Sequence, residues 1–555
     1  MRMKTIAWVA IAVAAICSFG RAEALPTANG AMGSSRPTNR QPSTTNCQLP
    51  TALDKWVYMP CHFWGKDPAL HSLAFFTNTV ARARSVGYNG VLLSCHLDLS
   101  HQWPPHLVNQ LTKAKAFCDA IGIEVIPMTW DVGYGGDCPG NWFESREIAD
   151  LPYVRRGGKA VFDPPPVEVR GGPTENLAFN GSDHAKAPMR VYRRFTLRKG
   201  VRYVVCARAR STGVPEKDYF QFIGFVPSIP KKTAYYSAPK HAADGEWHDL
   251  LFPLEAKTDE EVTLAFGHWG ATGRLEIAKF EVRARGICGA TRRKGIPFVV
   301  KGERSGRIYE EGRDYAEVPP ISVRGEGAPL GPYLELDIPP ASRIGEGERL
   351  LVTAEIPNNF HSSKRDQYAA CMSNPDYYAR MEKCARRVQE MLKPRKWFFC
   401  FDELRSANTC AACRARKLDM AHLIGDCLSR QREIVRAVSP GTVCYVWGDM
   451  LDPNHNANEG YAHTLGSYEG IAKCIPQDLV ICPWWGKKAD VQADYWASNG
   501  FRCIAGAYYD DKSHENARAW RAAMDGHPGT FTGWIYATWR YDYSEMESFL
   551  REMER

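Results

Sequence analysis

Short apolar runs alternate with helix-period segments along this chain, and the alternation breaks only over residues 164–348 before resuming. Ahead of the break the strand candidates are Trp56–Pro60, Gly90–Ser94 and Ile123–Met128. Between them, Leu70, Leu73, Phe76, Val80 and Ala83, then Val108, Leu111, Ala114 and Cys118, recur near the helical period. Behind the break come Trp397–Phe401, Val443–Trp447, Leu479–Pro483, Phe501–Ala505 and Phe531–Ile535, again separated by helical patterns such as Met420, Leu423, Ile424 and Cys427. Eight strand–helix units predict an α/β chain forming a (β/α)8 TIM barrel. Within the break, runs such as Tyr203–Ala207, Val262–Phe266 and Leu275–Ile277 alternate with Gly and Pro clusters. That pattern predicts an inserted all-β sandwich, jelly-roll-like, placed after the third strand. Arg349–Ile356 is a ninth candidate that fits either the end of the insertion or the barrel. The expected division is 50–163 for the first part of the barrel, 164–348 for the insertion and 349–555 for the rest.

The N-terminus carries Arg2 and Lys4, an apolar run from Ile6 to Cys17, and then Ala22-Glu23-Ala24. This reads as a secretory signal peptide over 1–24, cleaved after Ala24, with a flexible linker over 25–49. The expected destination is secreted or periplasmic, with no membrane span in the mature chain. Lys+Arg 70 against Asp+Glu 62 gives +8, spread rather than gathered, which argues against a nucleic-acid partner. Oligomeric state is not legible. Of 18 cysteines most sit in apolar runs as small hydrophobes. Cys410-Ala-Ala-Cys413 is the exception, read as a local disulfide or a reduced pair, because a zinc site needs a second half that no spacing supplies. The sequence reading therefore contains no metal and no cofactor.

A barrel enzyme places its chemistry at the C-terminal ends of its strands. Those ends read Cys61-His62, Cys95-His96, Trp130-Asp131, Asp402-Glu403-Leu404-Arg405, Trp447-Gly448-Asp449, Trp484-Trp485, Tyr508-Tyr509-Asp510 and Trp539. Carboxylates and indoles converge on one face, a combination suited to sugars, whose C–H faces stack on aromatic rings; the partner expected is a carbohydrate. Asp402 and Glu403 can take different protonation states when their surroundings differ. Glu403 among indoles would hold its proton, while Asp402 would stay ionised beside Arg405 or other donors. The loop Asp449–Ala457, with His455, reads as hydroxyl-binding or as a loop held by Asx turns; a metal site of Asp449, Asp452 and His455 is the third reading, with no fixed helical spacing behind it because Pro453 interrupts the loop.

The Asp-Glu pair on strand four, the tryptophans after strands five and six, Tyr508-Tyr509-Asp510 after strand seven and Gly533…Trp539 on strand eight resemble family 20 glycoside hydrolases, the β-N-acetylhexosaminidases. The resemblance implies Glu403 as general acid/base and Asp402 as the group that orients the substrate's acetamido, which replaces an enzyme nucleophile. It implies Tyr508 on the acetamido oxygen and Trp447, Trp484 or Trp485, and Trp539 as pocket walls. The family's His-x-Gly-Gly before Asp-Glu is absent, the strand reading Trp397-Phe398-Phe399-Cys400-Phe401, and Tyr541 stands where the family has Glu. The function expected is an exo-acting, retaining glycoside hydrolase on β-linked N-acetylhexosamines. The alternative is a catalytically silent glycan-binding protein that uses the same pocket.

Overall fold

The structure is a computed structural model. It describes residues 53–555 except 62, 64–67, 96, 98–101, 130–131, 134–140, 172–178, 181–189, 199–200, 215–218, 226–240, 243, 256–259, 268–272, 322–332, 359 and 362–365. The expected signal peptide and linker lie outside the described residues. Eight parallel strands close into a barrel: β1 (Asp54–Pro60), β2 (Gly90–Ser94), β3 (Glu124–Thr129), β4 (Lys396–Phe399), β5 (Val443–Trp447), β6 (Val480–Cys482), β7 (Arg502–Gly506) and β8 (Phe531–Tyr536). The TIM barrel expected from the strand count is the observed fold. Despite the long break between them, β3 and β4 are neighbours, with Met128 opposite Phe398 and Thr129 opposite Phe399. The seam closes where Asp54 of β1 faces Gly533 of β8.

Period-two alternation sorts the strand residues into two cores. Trp56, Phe398, Tyr445, Ile504 and Ile535 point into the barrel, whereas Val57, Trp397, Phe399, Val446 and Cys503 pack outward against the helices. At the closed end of the barrel, Lys396 Nζ lies 2.7 Å from Asp54 Oδ1 and 2.9 Å from Glu124 Oε2, and Tyr445 donates to Asp54 Oδ2 at 3.0 Å. A half-buried cation paired with two carboxylates plugs the end opposite the site, where barrel residues serve stability. Among the described residues no helix is long and apolar enough to cross a membrane.

Among the described residues the inserted region holds three larger antiparallel sheets and a two-stranded ribbon, Phe360–His361 with Asp366–Gln367. Two have four strands each, built from residues within 179–286. The third has six, with Ser145–Arg156 and Arg349–Pro357 side by side at its centre. Its own hydrophobic core runs from Ile148 and Tyr153 through Phe195, Val205 and Phe266 to Val352. This corrects the expected boundaries. The expected division gives both Ser145–Phe162 and Arg349–Ile356 to the barrel, but both sit in the inserted sheet. Alternation marks a strand without naming its partner, and only long-range pairing separates the two assignments.

The insertion leaves from the C-terminal end of β3 and returns to the helix Pro375–Leu392 that precedes β4. Its two stems are tied together: Glu144 N–H donates to Ala369 O at 2.7 Å and Cys371 N–H to Trp142 O at 2.8 Å. The inserted sheets therefore spring from the same rim of the barrel that carries Asp402 and Glu403.

Candidate active site

On β4, Phe398 and Cys400 face the interior, and Asp402 is the next position in that alternation; it is 8% exposed. The segment after β3 continues along this strand end, Val132 N–H donating to Cys400 O at 3.3 Å. Gly133 presses so closely that a Cβ there would lie 2.3 Å from Asp402 O and 2.9 Å from the Leu404 backbone. Gly133→Ala must displace the chain that carries both acids. It should cost about 1–3 kcal/mol of stability in chemical denaturation, with a fall in any activity at the site; a variant as stable and as active as the parent would contradict this packing.

Glu403 turns the chain with φ of 42°, a left-handed conformation unusual for a residue with a side chain. Asp449 holds that turn. Its Oδ2 accepts the Glu403 N–H at 2.9 Å and the Asn456 side-chain amide at 3.0 Å. Asp449 is fully buried, and burial together with the Glu403 charge pushes its carboxyl up to about 6 despite these hydrogen bonds. The Glu403 carboxyl is also raised, chiefly by burial, with the ion pair to Arg405 pulling the other way. Arg405 thus pairs with Glu403. The turn at Glu403 brings its carboxylate back over the residue two positions on.

An aromatic wall surrounds the acids. Trp447 packs edge-on to Phe398 at 4.9 Å and lies 6.0 Å from Trp539, while Tyr58 sits 5.1 Å from Trp539. Trp484 stacks on Tyr509 at 5.2 Å with planes 17° apart. The charges of Asp402 and Glu403 act on the Tyr509 hydroxyl, which burial already pushes well above its usual range. Trp447, Trp484 and Trp539 therefore gather at the barrel mouth with the two acids.

Tyr508 does not join them. It is stacked on Tyr536 at 4.0 Å, edge-on to Phe549 at 5.7 Å, and belongs to the outer core. The strand ends at Gly506, so the alternation that would aim Tyr508 inward no longer applies, and Tyr509, at φ of 50°, turns to the mouth instead. Asp510 is a positioning residue, its carboxylate accepting from Thr538 Oγ1 at 2.6 Å and from Trp539 N–H at 2.8 Å. It fixes the loop that carries Trp539. His62 and His96 lie outside the described residues, as do Trp130 and Asp131.

The loop after β5 is a support. His455 is sandwiched by Trp484 at 4.4 Å and Trp485 at 5.0 Å, and burial lowers its pKa to about 3, so it is neutral. Lys488 lies 5.0 Å over the other indole, Trp485. Asp449, Asp452 and His455 do not form a metal-ligand group among the described residues. Sequence reasoning missed Tyr58, Tyr509, Asn456 and Tyr461, whose hydroxyl feels the charges of Glu403 and Asp449. Tyr58 left a signal, two positions along β1 from the inward Trp56, and Tyr509 and Asn456 lie within the strand-end segments read from the sequence.

Asp452 has no solvent exposure, accepts from Asn454 N–H at 2.8 Å, and is pushed from the usual 3.8 up to about 6 by burial. The folded state favours the protonated acid, so this stability is fully present below pH ~4 and is lost as pH rises through ~6, worth about 3 kcal/mol. Asp452→Asn cannot ionise and should flatten the decline in unfolding free energy across that window. An unchanged slope in denaturant titrations would rule the assignment out.

No known family's sequence pattern matches this chain, and no curated protein matches it. Solved structures show distant similarity to parts or most of this chain. A β-N-acetylhexosaminidase crystal structure is 10% identical, covering 90% of this chain and 69% of that one, with a TM-score of 0.35. The family 20 exo-β-N-acetylglucosaminidase of Vibrio harveyi, with N-acetylglucosamine, is 14% identical over 36% of this chain and 33% of that one, at a TM-score of 0.27. A family 4 carbohydrate-binding module is 12% identical over 20% of this chain and 88% of its own length, at 0.16.

Proposed function

We propose that this protein is a retaining, exo-acting glycoside hydrolase for β-linked N-acetylhexosamines, in which the substrate's acetamido group is the nucleophile. The observation that carries the reading is the placement of Asp402 and Glu403. They sit together at one strand end, inside an aromatic mouth, with the Glu403 acid form favoured by burial. Glu403 donates its proton to the glycosidic oxygen, and substrate entry exchanges the Arg405 contact for the leaving group. Asp402 accepts the acetamido N–H, so that the carbonyl oxygen attacks the anomeric carbon and a cyclic oxazolinium forms. Glu403, now ionised, takes a proton from water as that ring opens. An enzyme nucleophile would need a second carboxyl on the other side of the bond, ~5–5.5 Å from the acid, and family 20 enzymes are an exception to that scheme. Residues adjacent on one strand end are poorly disposed for it. Trp447, Trp484 and Trp539 exclude water and enclose the acetamido methyl, which strengthens the Asp402 interaction with the cationic ring.

A panel of 4-nitrophenyl β-glycosides tests the reading. Turnover is expected on N-acetylglucosaminide or N-acetylgalactosaminide and not on glucoside or galactoside. Preference for the plain sugars, or no turnover on any, would overturn it.

A further inference from the structure

Three thiols and a carboxyl meet at the neck of the insertion, and none belongs to the site above. Cys371 Sγ lies 3.5 Å from Cys410 Sγ and 3.7 Å from Cys413 Sγ, and Cys413 Sγ lies 3.6 Å from Glu144 Oε2. The four ligand atoms are all within 4.8 Å of one another, and all four residues are buried. The cysteines are free thiols. The other oxygen of Glu144 is already satisfied, accepting the Thr409 and Cys410 N–H groups at 2.7 Å each, which leaves Oε2 turned to the sulfurs. We propose that Glu144, Cys371, Cys410 and Cys413 form a closed, tetrahedral, structural zinc site.

The spacing favours a metal over a disulfide. Zinc–sulfur bonds of ~2.3 Å place sulfurs at tetrahedral corners ~3.8 Å apart, and a zinc–oxygen bond of ~2.0 Å gives a sulfur–oxygen edge of ~3.5 Å. The observed separations match those edges. A disulfide would bring two sulfurs to ~2.05 Å and strand the third thiol in the core. Three thiolates select a soft or borderline ion and exclude magnesium and calcium. The sequence reading lacked the second half of this site because Glu144 and Cys371 stand on opposite sides of the insertion. The fold brings the two stems together, and the short helix Ala411–Ala415, just after the Asp402-Glu403 turn, delivers the cysteine pair. Zinc there would fasten both stems to the β4 loop.

The test uses the full chain purified without chelator or metal-affinity resin. Elemental analysis is expected to find one zinc per chain, and the cobalt-substituted protein should show tetrahedral thiolate-to-cobalt charge-transfer absorption. Cys371→Ser and Cys413→Ser should retain less than about one-tenth of the metal, and Glu144→Gln should weaken retention against a competing chelator by at least about tenfold. Absence of zinc, whether unreduced digests show Cys371, Cys410 and Cys413 as a disulfide or as free thiols, would overturn the proposal, as would full zinc content in both cysteine variants. If those variants do not fold, the wild-type cobalt spectrum decides, and one without thiolate charge transfer overturns it. Metal content is read independently of glycosidase activity, so either reading can fail alone.

Discussion

Glu403→Gln is expected to lower kcat on a natural, unactivated glycoside by about 10²–10⁴-fold with KM little changed. Glutamine keeps the shape and the hydrogen-bonding reach of the side chain but has no proton to give. The backbone is undisturbed, because the Glu403 N–H still donates to Asp449 at the left-handed turn. The loss should shrink for a dinitrophenyl glycoside, whose leaving group departs without protonation, and thermal unfolding should stay close to the parent's. That contrast separates an acid from a residue that merely buttresses the rim through Arg405. Equal losses on both substrates would place Glu403 outside the proton transfer, and a wild-type rate on the natural substrate would remove it from the chemistry.

Asp402→Asn should cripple N-acetylhexosaminide turnover by about 10²–10³-fold, the scale on which removing one electrostatic stabiliser acts in a dry site. Asparagine is isosteric, so the packing of the Asp402 carbonyl against Gly133 survives. What goes is the negative charge that favours the oxazolinium and draws on the acetamido N–H. A thiazoline that mimics the cyclised intermediate should inhibit the parent strongly and the variant weakly. A covalent sugar trapped on Asp449 or Asp510 would instead mark an enzyme nucleophile. Neither is free for that role in the structure: Asp449 holds the Glu403 turn, and Asp510 holds Thr538 and Trp539.

The site was readable where strands stay regular. Phe398, Cys400 and Asp402 follow one alternation, so the inward acid could be named from its place after an apolar strand. Trp447 and Trp484 followed from the same rule on β5 and at the end of β6. The reading failed where a strand had ended. Tyr508 and Tyr509 exchange places because the chain leaves the strand at Gly506, and a left-handed residue reverses the direction that alternation would assign.

Local sequence alone determined the eight strand–helix units, their interruption and the acids at the fourth strand end, because periodicity and strand termini are properties of neighbouring residues. Tertiary structure alone decided what depends on distant partners. Ser145–Arg156 and Arg349–Pro357 belong to the insertion only because they hydrogen-bond each other across it. Glu144 and Cys371 become neighbours of Cys410 and Cys413 only because the stems close at the neck. No window of sequence contains either fact: a strand's pattern states which face is apolar, and the choice of partner is made by the free energy of the whole packed chain.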